Sequence, residues 1–344
     1  MGLGTYIARR ILLMIPTILG VIILIFMVTQ LIPPGQRAVL YVSSEKGFQK
    51  SREDLIKEFG LDKPWYIQMG NWLSQVFHGN LGWSEFWHQP VLQGILQRFP
   101  YSIELALVAA PPIILLGIYL GVISAVHKDR LPDHLSRVFA IVGWSLPTFW
   151  LGIILIAIFY GNFGLFGVGM LSSEARKVFE SANWNTVTGM ILVDSLINGR
   201  LDIFVDRLAH LVLPVTTLTI VYIAILVRLM RSSMLEVLNK TFVVAARAKG
   251  LDLKTVINKH ARRNALIPVI TVSGLIVAGL MNGVVITETV FDLQGLGRFG
   301  AEAAINRDIP AVLGFSLVAA LLYVTANLIV DVLYAYLDPR IRLG

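Results

Sequence analysis

Thr241-Phe242-Val243-Val244-Ala245-Ala246-Arg247-Ala248-Lys249-Gly250 is a short amphipathic segment set between two long apolar ones. Upstream, Leu208 to Val227 carries no Asp, Glu, Lys or Arg, and downstream neither does Ala265 to Thr287. A bilayer core about 30 Å thick is crossed by ~20 residues of helix, and a charge at its centre costs roughly 2.5–3.5 kcal/mol on insertion scales. Both flanks therefore read as membrane spans. Arg228 to Asn264, holding nine Lys/Arg, reads as the loop that joins them on one side.

The same test along the 344 residues finds four more charge-free spans: Ile11 to Ile32, Leu105 to Val126, Val138 to Tyr160 and Ile309 to Val330. Composition agrees, with 56% apolar residues, 15% charged and a mean hydropathy of +0.71, far from an ordinary soluble domain. A seventh stretch, Pro64 to Ser84, is too polar for lipid. Its Trp65, Met69, Trp72, Leu73, Val76 and Phe77 recur at helical spacing, which suits a helix on the membrane surface. Arg9 and Arg10 before the first span resemble the start of a signal peptide. The run is too long for one, and Ile32-Pro33-Pro34-Gly35 is no cleavage site, so a retained anchor is expected.

Orientation follows from Lys/Arg density. With a cytoplasmic N-terminus, Met1–Arg10, His127–Arg137, Arg228–Asn264 and Tyr336–Gly344 hold 16 of the 29 Lys/Arg in 67 residues. The outer segments Pro33–Ser102, Gly161–Arg207 and Glu288–Asp308 hold the other 13 in about twice the length. Both termini are expected inside. The chain divides into 1–32 (tail and first span), 33–104 (outer loop with short helices) and 105–344 (a five-span core), the core having an outer insertion at 161–207 and a cytoplasmic loop at 230–264. Ser51-Arg52-Glu53-Asp54 reads as a capping box opening a short helix that Gly60 closes. Phe163 to Asp206 mixes Gly, Asn and Ser with a few charges and has no assignable pattern.

Several chemistries are disfavoured. No cysteine is present, so no disulfide, thiolate nucleophile or Cys-ligated metal exists. No Gly-Lys dipeptide occurs, which removes the G-x-x-x-x-G-K-[ST] phosphate loop, and no His precedes Glu, which removes the H-E-x-x-H zinc helix. No catalytic residue or metal ligand is expected. The spans hold only one histidine, His210, and no acid or base of the kind a proton-coupled carrier uses. Glu104, Glu288 and Asp331 lie at span edges, where solvated or helix-capping roles are expected ahead of coupling. Gly295-Leu296-Gly297-Arg298-Phe299-Gly300 fits a dinucleotide fingerprint but lies in an outer loop with no strand before it. Its glycines are expected to permit tight turns, with Arg298 and Asp308 at the surface. Gly117 and Gly121 form a G-x-x-x-G whose default role is packing within the subunit. Pro111, Pro112, Pro147, Pro214 and Pro268 permit kinks.

In the long loop, a first helix is expected over Thr241 to Lys249, with Phe242, Val243 and Ala246 on one side, Ala245 beside them, and Gly250 as its stop. A second runs from Leu253 to Ala265. Small Ala245 and Ala246 suit a partner's groove, while Arg247, Lys249 and Lys254 stay solvated or meet its carboxylates. Contact with anionic lipid remains the other reading.

Val244-Ala245-Ala246-Arg247-Ala248-Lys249-Gly250, continuing Lys259-His260-Ala261-Arg262-Arg263-Asn264-Ala265-Leu266-Ile267-Pro268, resembles the cytoplasmic "EAA" loop of binding-protein-dependent ABC importer permeases, in their dipeptide/oligopeptide/nickel subgroup. Val244 stands where the general motif has Glu, as in that subgroup. The likeness extends through Ala8-Arg9-Arg10, Gly60-Leu61-Asp62-Lys63-Pro64, Gly79-Asn80-Leu81-Gly82 and Ser145-Leu146-Pro147-Thr148-Phe149-Trp150-Leu151-Gly152. It continues with Glu288-Thr289-Val290-Phe291 to Gly295-Leu296-Gly297-Arg298, Asn306-Arg307-Asp308, and Leu337-Asp338-Pro339-Arg340-Ile341-Arg342.

The resemblance implies an all-α fold of the type I importer permease kind: six spans, N-in/C-in, multi-pass in the cytoplasmic (inner) membrane. It implies a second homologous permease subunit, two ATPase subunits that bind ATP and Mg, and an extracytoplasmic substrate-binding protein, with no cofactor on this chain and no nucleic acid. Phe242, Ala245, Ala246, Arg247, Lys249, Gly250 and Leu251 would couple to the ATPases. Ser145, Thr216, Thr217 and Asn282 are candidate path-lining residues. Di- or oligopeptides are the expected cargo, with oligosaccharides or nickel as alternatives. A secondary transporter and a membrane-embedded enzyme are the rival classes.

Overall fold

The computed structural model describes residues 3–42 and 51–337. Of the family-like segments above, the ending after Leu337 lies outside the described residues.

The regular structure of the described residues is helical, apart from a hairpin of β1 (Trp83–Ser84) and β2 (Gln89–Pro90). In order run α1 (Leu3–Gln30), α2 (Arg52–Phe59), α3 (Trp65–Phe77), α4 (Val91–Val126), α5 (Leu131–Ser145) and α6 (Thr148–Asn162). They are followed by α7 (Ser173–Phe179), α8 (Ile191–Ile197), α9 (Leu201–Leu238), α10 (Thr241–Ala248), α11 (Leu253–Met281), α12 (Val285–Val290), α13 (Leu296–Ile305) and α14 (Ile309–Leu337). Five of these, α1, α4, α9, α11 and α14, are long and apolar enough to cross a bilayer.

The expected third span, Val138 to Tyr160, is not one continuous rod. It is the pair α5 and α6, bent by 101°. The break falls at Leu146-Pro147, where Leu146 is extended (φ −80°, ψ 126°), because a proline ring disfavours helical backbone in the residue before it.

α4 and α9 form the central pair. Their closest approach is at the G-x-x-x-G: a Cβ on Gly117 would lie 2.6 Å from the Cβ of Leu226, and one on Gly121 2.5 Å from that of Met230. This motif therefore packs helices within the subunit. The core around it buries Leu105, Ile113, Leu218, Leu226, Val269 and Leu280 from α4, α9 and α11. Apolar side chains that remain exposed, such as Leu12, Leu24, Ile141 and Trp144, suit a surface solvated by lipid.

Outside the membrane, α2 and α3 cap the ends of α1 and α14. Ser51 accepts a hydrogen bond from the Asp54 N–H at 3.2 Å and Gly60 closes α2 at φ +65°, as the capping reading expected. α3 does more than lie on lipid. Its Trp72 is buried 5.9 Å from the ring of Phe26, and its Gln68 accepts from Arg37 at 2.8 Å while donating to the carbonyls of Leu61 and Lys63. In the 161–207 insertion, α7 and α8 are seven-residue helices, too short to print a period.

Candidate functional site

α9 is 38 residues long, ~57 Å at 1.5 Å per residue, so it outruns the bilayer core and carries its last turns into the cytoplasm. Two residues, Asn239 and Lys240, separate it from α10. α10 ends at Ala248 with Lys249 as its C-cap, and Gly250 adopts φ +81° with open space around it, the left-handed turn expected there. Asp252 then caps α11 by accepting from the Thr255 N–H at 3.1 Å.

α10 has an inner and an outer face. Val243 and Ala246 are buried with Val256, against Val237 and Leu238. This corrects the expected grouping of Phe242, Val243 and Ala246: the i, i+3 pair anchors the knuckle to its own chain, while Phe242, Ala245, Arg247, Lys249, Gly250 and Leu251 are exposed. The outer face offers Phe242 and Leu251 as apolar ends with two cations between them.

Near the start of α5, the cytoplasmic end of α9 that leads into α10 is braced. Asp133 is fully buried and accepts from Arg231 Nε and Nη2 at 2.7 and 2.8 Å, from Ser124 Oγ at 2.6 Å, and from the Asp129 N–H at 3.0 Å. The Arg231 hydrogen bonds hold this carboxyl well below the usual carboxylate range. The short loop after α4, the start of α5 and the cytoplasmic end of α9 are thereby fastened together.

No hydrogen bond joins the four path candidates to one another among the described residues. Ser145 Oγ donates to the Ile141 carbonyl at 2.8 Å and Thr217 Oγ1 to that of Leu213 at 3.0 Å, so both serve their own helices. Thr216 is half-buried. Asn282 ends α11, and its Oδ1 is buried without a hydrogen-bond partner among the described residues.

At the outer ends the span-edge acids depart from expectation. Glu104 is 2% exposed, paired with buried Arg207 at 2.7 Å, and accepts from the Leu192 N–H at 2.6 Å. Glu288 is 1% exposed and sits in a cradle: Ser102 Oγ donates to it at 2.7 Å, the Val284 N–H at 3.2 Å and the Arg298 N–H at 2.8 Å. Burial pushes its carboxyl up, against those hydrogen bonds. Gly295 and Gly297 leave the room it occupies, since a Cβ on Gly295 would meet its carboxylate at 2.4 and 2.5 Å. The fingerprint glycines thus cradle a side-chain carboxylate at the start of α13. Asp308 is buried too, accepting from Ser84 Oγ at 2.5 Å and from the Ala311 N–H at 3.1 Å, which caps α14. Arg298 is ion-paired with Glu302 and Asp292. The hint for these acids was their position beside apolar runs; their side-chain partners lie more than a hundred residues away in sequence. Asp331, the third span-edge acid, lies toward the cytoplasmic end of α14, where it keeps a third of its side chain exposed and pairs with Arg10 at 3.0 Å.

No group of three or more His, Asp or Glu able to hold a metal ion occurs among the described residues.

A family model for the inner membrane component of binding-protein-dependent transport systems matches residues 117–343. The chain is 40% identical over 326 residues, 94% of each chain, to the probable D,D-dipeptide transport system permease protein DdpB of Escherichia coli K12. It is 39% identical over 98% of each chain to the dipeptide transport system permease protein DppB of the same strain, and 37% identical over 98% of each to the di/tripeptide transport system permease protein DppB of Pseudomonas aeruginosa. Among solved structures it is similar to an inward-facing MetNI methionine ABC transporter, with a TM-score of 0.50, covering 71% of this chain and 96% of that one. At 14% identity the likeness concerns the fold alone. By a family match over well more than half its length and relatives alike from end to end, this multi-pass membrane chain belongs to the inner membrane components of binding-protein-dependent transport systems.

Proposed function

We propose that this chain is one of two permease subunits of an ATP-driven importer of di- and oligopeptides in the cytoplasmic membrane. An extracytoplasmic binding protein delivers the peptide and two ATPase subunits supply the energy. The observation that carries this reading is α10, anchored inward by Val243 and Ala246 and presenting Phe242, Ala245, Arg247, Lys249 and Leu251 outward. A helix seated in an ATPase groove and joined by short turns to α9 and α11 transmits closure of the ATPases to two spans as a rigid body. Gly250 sets the angle of that lever. The peptide assignment rests on the printed names of the relatives, which favour peptides over oligosaccharides or nickel. Thr216 and Asn282 are the polar span residues best placed to meet cargo, because Ser145 and Thr217 are occupied by their own helices.

The test uses the absence of native cysteine. An Ala245→Cys variant carries a single thiol, which a short bifunctional reagent should join to an ATPase subunit in assembled complexes. A thiol that labels freely in the complex and cross-links to nothing overturns the coupling reading. Uptake that survives ATP depletion and follows an ion gradient overturns the importer class.

A further inference from the structure

α4 has 36 residues, ~54 Å of helix, and a bilayer core takes up about 30 Å of it. Its first turns, from Val91 to Glu104, stand outside the membrane. Against them lies a cavity of about 820 Å³ whose lining includes Gln93, Gln97, Arg98 and Tyr101 of α4, Thr188 before α8, and Gln294 before α13. That volume falls within the range of small-molecule sites, roughly 300–1,000 Å³.

Arg98 is a cation held in readiness. Its guanidinium carbon lies 5.0 Å from the ring centre of Trp87 and 5.1 Å from that of Phe299, and those two rings stack on each other at 4.3 Å. Such packing fixes a guanidinium plane. Nη1 donates to the Gly94 carbonyl at 3.1 Å, while the nearby Glu302 is committed to Arg298 at 2.6 Å. Among the described residues no carboxylate pairs with Arg98, and most of its five N–H donors are unused. A half-buried, pre-oriented cation without a counter-ion is matched by a carboxylate, which takes the fork in two parallel hydrogen bonds. A second cavity of about 330 Å³ shares Tyr101 and Gln294 with the first, and its acids Glu180 and Asp292 are already paired with Arg176 and Arg298. Between the two adjoining cavities the charge without an ion-pair partner is thus the Arg98 cation.

We infer that this outer cavity is an entry subsite in which Arg98 receives the C-terminal carboxylate of a short peptide. The inference rests on the peptide reading above, and its failure is separable from that reading's failure.

The complete complex, in lipid nanodiscs without its binding protein, is titrated with alanyl-alanine and with alanyl-alanine amide. Alanyl-alanine should bind more tightly than the amide by about tenfold, the worth of a charge-assisted hydrogen bond. Arg98→Gln should remove that preference by weakening alanyl-alanine alone. Should Arg98→Gln fail to assemble, Arg98→Lys, which keeps the charge but loses the fork, should show a reduced preference. Equal binding of both probes by the unaltered complex overturns the subsite, as does an undiminished preference in the variant. Weaker docking of the binding protein on Arg98→Gln with unchanged alanyl-alanine affinity also overturns it, in favour of a protein contact. If the complex with its binding protein takes up dipeptides while the titration shows no preference, only the subsite falls. If it takes up none, the peptide reading falls with it.

Discussion

Adding one methyl group to Gly295 should cost about 3 kcal/mol of stability, for a reason confined to Glu288. The backbone of Gly295 is at φ −81°, ψ 176°, a conformation alanine adopts without strain. The obstacle is space: the new Cβ would lie 2.3 Å from Glu288 Cδ and 2.4 and 2.5 Å from its two oxygens. The carboxyl cannot retreat while holding Ser102 Oγ and the N–H groups of Val284 and Arg298. Overpacking alone costs roughly 1–3 kcal/mol, and each buried donor left without an acceptor about 1–3 kcal/mol more, so ~3 kcal/mol is a conservative total. The decisive assay is a double-mutant cycle read by denaturant unfolding of the purified complex in detergent. Gly295→Ala and Glu288→Ala are each destabilising alone; in the Glu288→Ala background the methyl has room, so the second change should cost little. A coupling energy approaching ~3 kcal/mol is expected, at the upper end of the usual span for touching residues. Strict additivity of the two changes would refute the cradle.

Gly121→Val should separate α4 from α9, because its Cβ would meet Met230 Cβ at 2.5 Å, whereas Gly279→Ala, with open space around it, should leave the unfolding midpoint unchanged. Asp133→Asn should cost about 2–3 kcal/mol by removing the charged acceptor of Arg231, whose side chain is 21% exposed. Since the native carboxyl titrates below its unfolded value, its stabilisation is complete above about pH 4 and disappears as pH falls toward the native value; the unaltered protein should therefore lose more midpoint between pH 5 and pH 3 than the variant. Gly250→Val places a β-branched side chain at φ +81°, at roughly 1–2 kcal/mol of local strain, and is expected to lower uptake per ATP hydrolysed while membrane insertion, followed by immunoblot, stays normal.

The local signals were readable because they are local. Charge-free runs marked the spans, Lys/Arg density assigned their sides, Ser51 and Gly60 bounded α2, and Gly250 ended α10. Each depends on hydropathy or on backbone geometry within a turn or two. The α10 segment was legible for the same reason, as a short amphipathic helix with a glycine stop between two spans.

What the linear chain could not disclose is which polar groups go inside. Glu104 meets Arg207 across 103 residues, Glu288 meets Ser102 across 186 and Asp308 meets Ser84 across 224. An acid beside an apolar run reads as solvated until a donor arrives from elsewhere to replace water. Likewise the side of α10 that turns inward was decided by Val256, which belongs to the next helix, and the pre-oriented state of Arg98 by Trp87 and Phe299, which come from a hairpin and from α13. Membrane placement is a property of single segments partitioning between water and lipid, so sequence determines it. Burial of charge depends on long-range partners that repay desolvation, and only the tertiary structure brings them together.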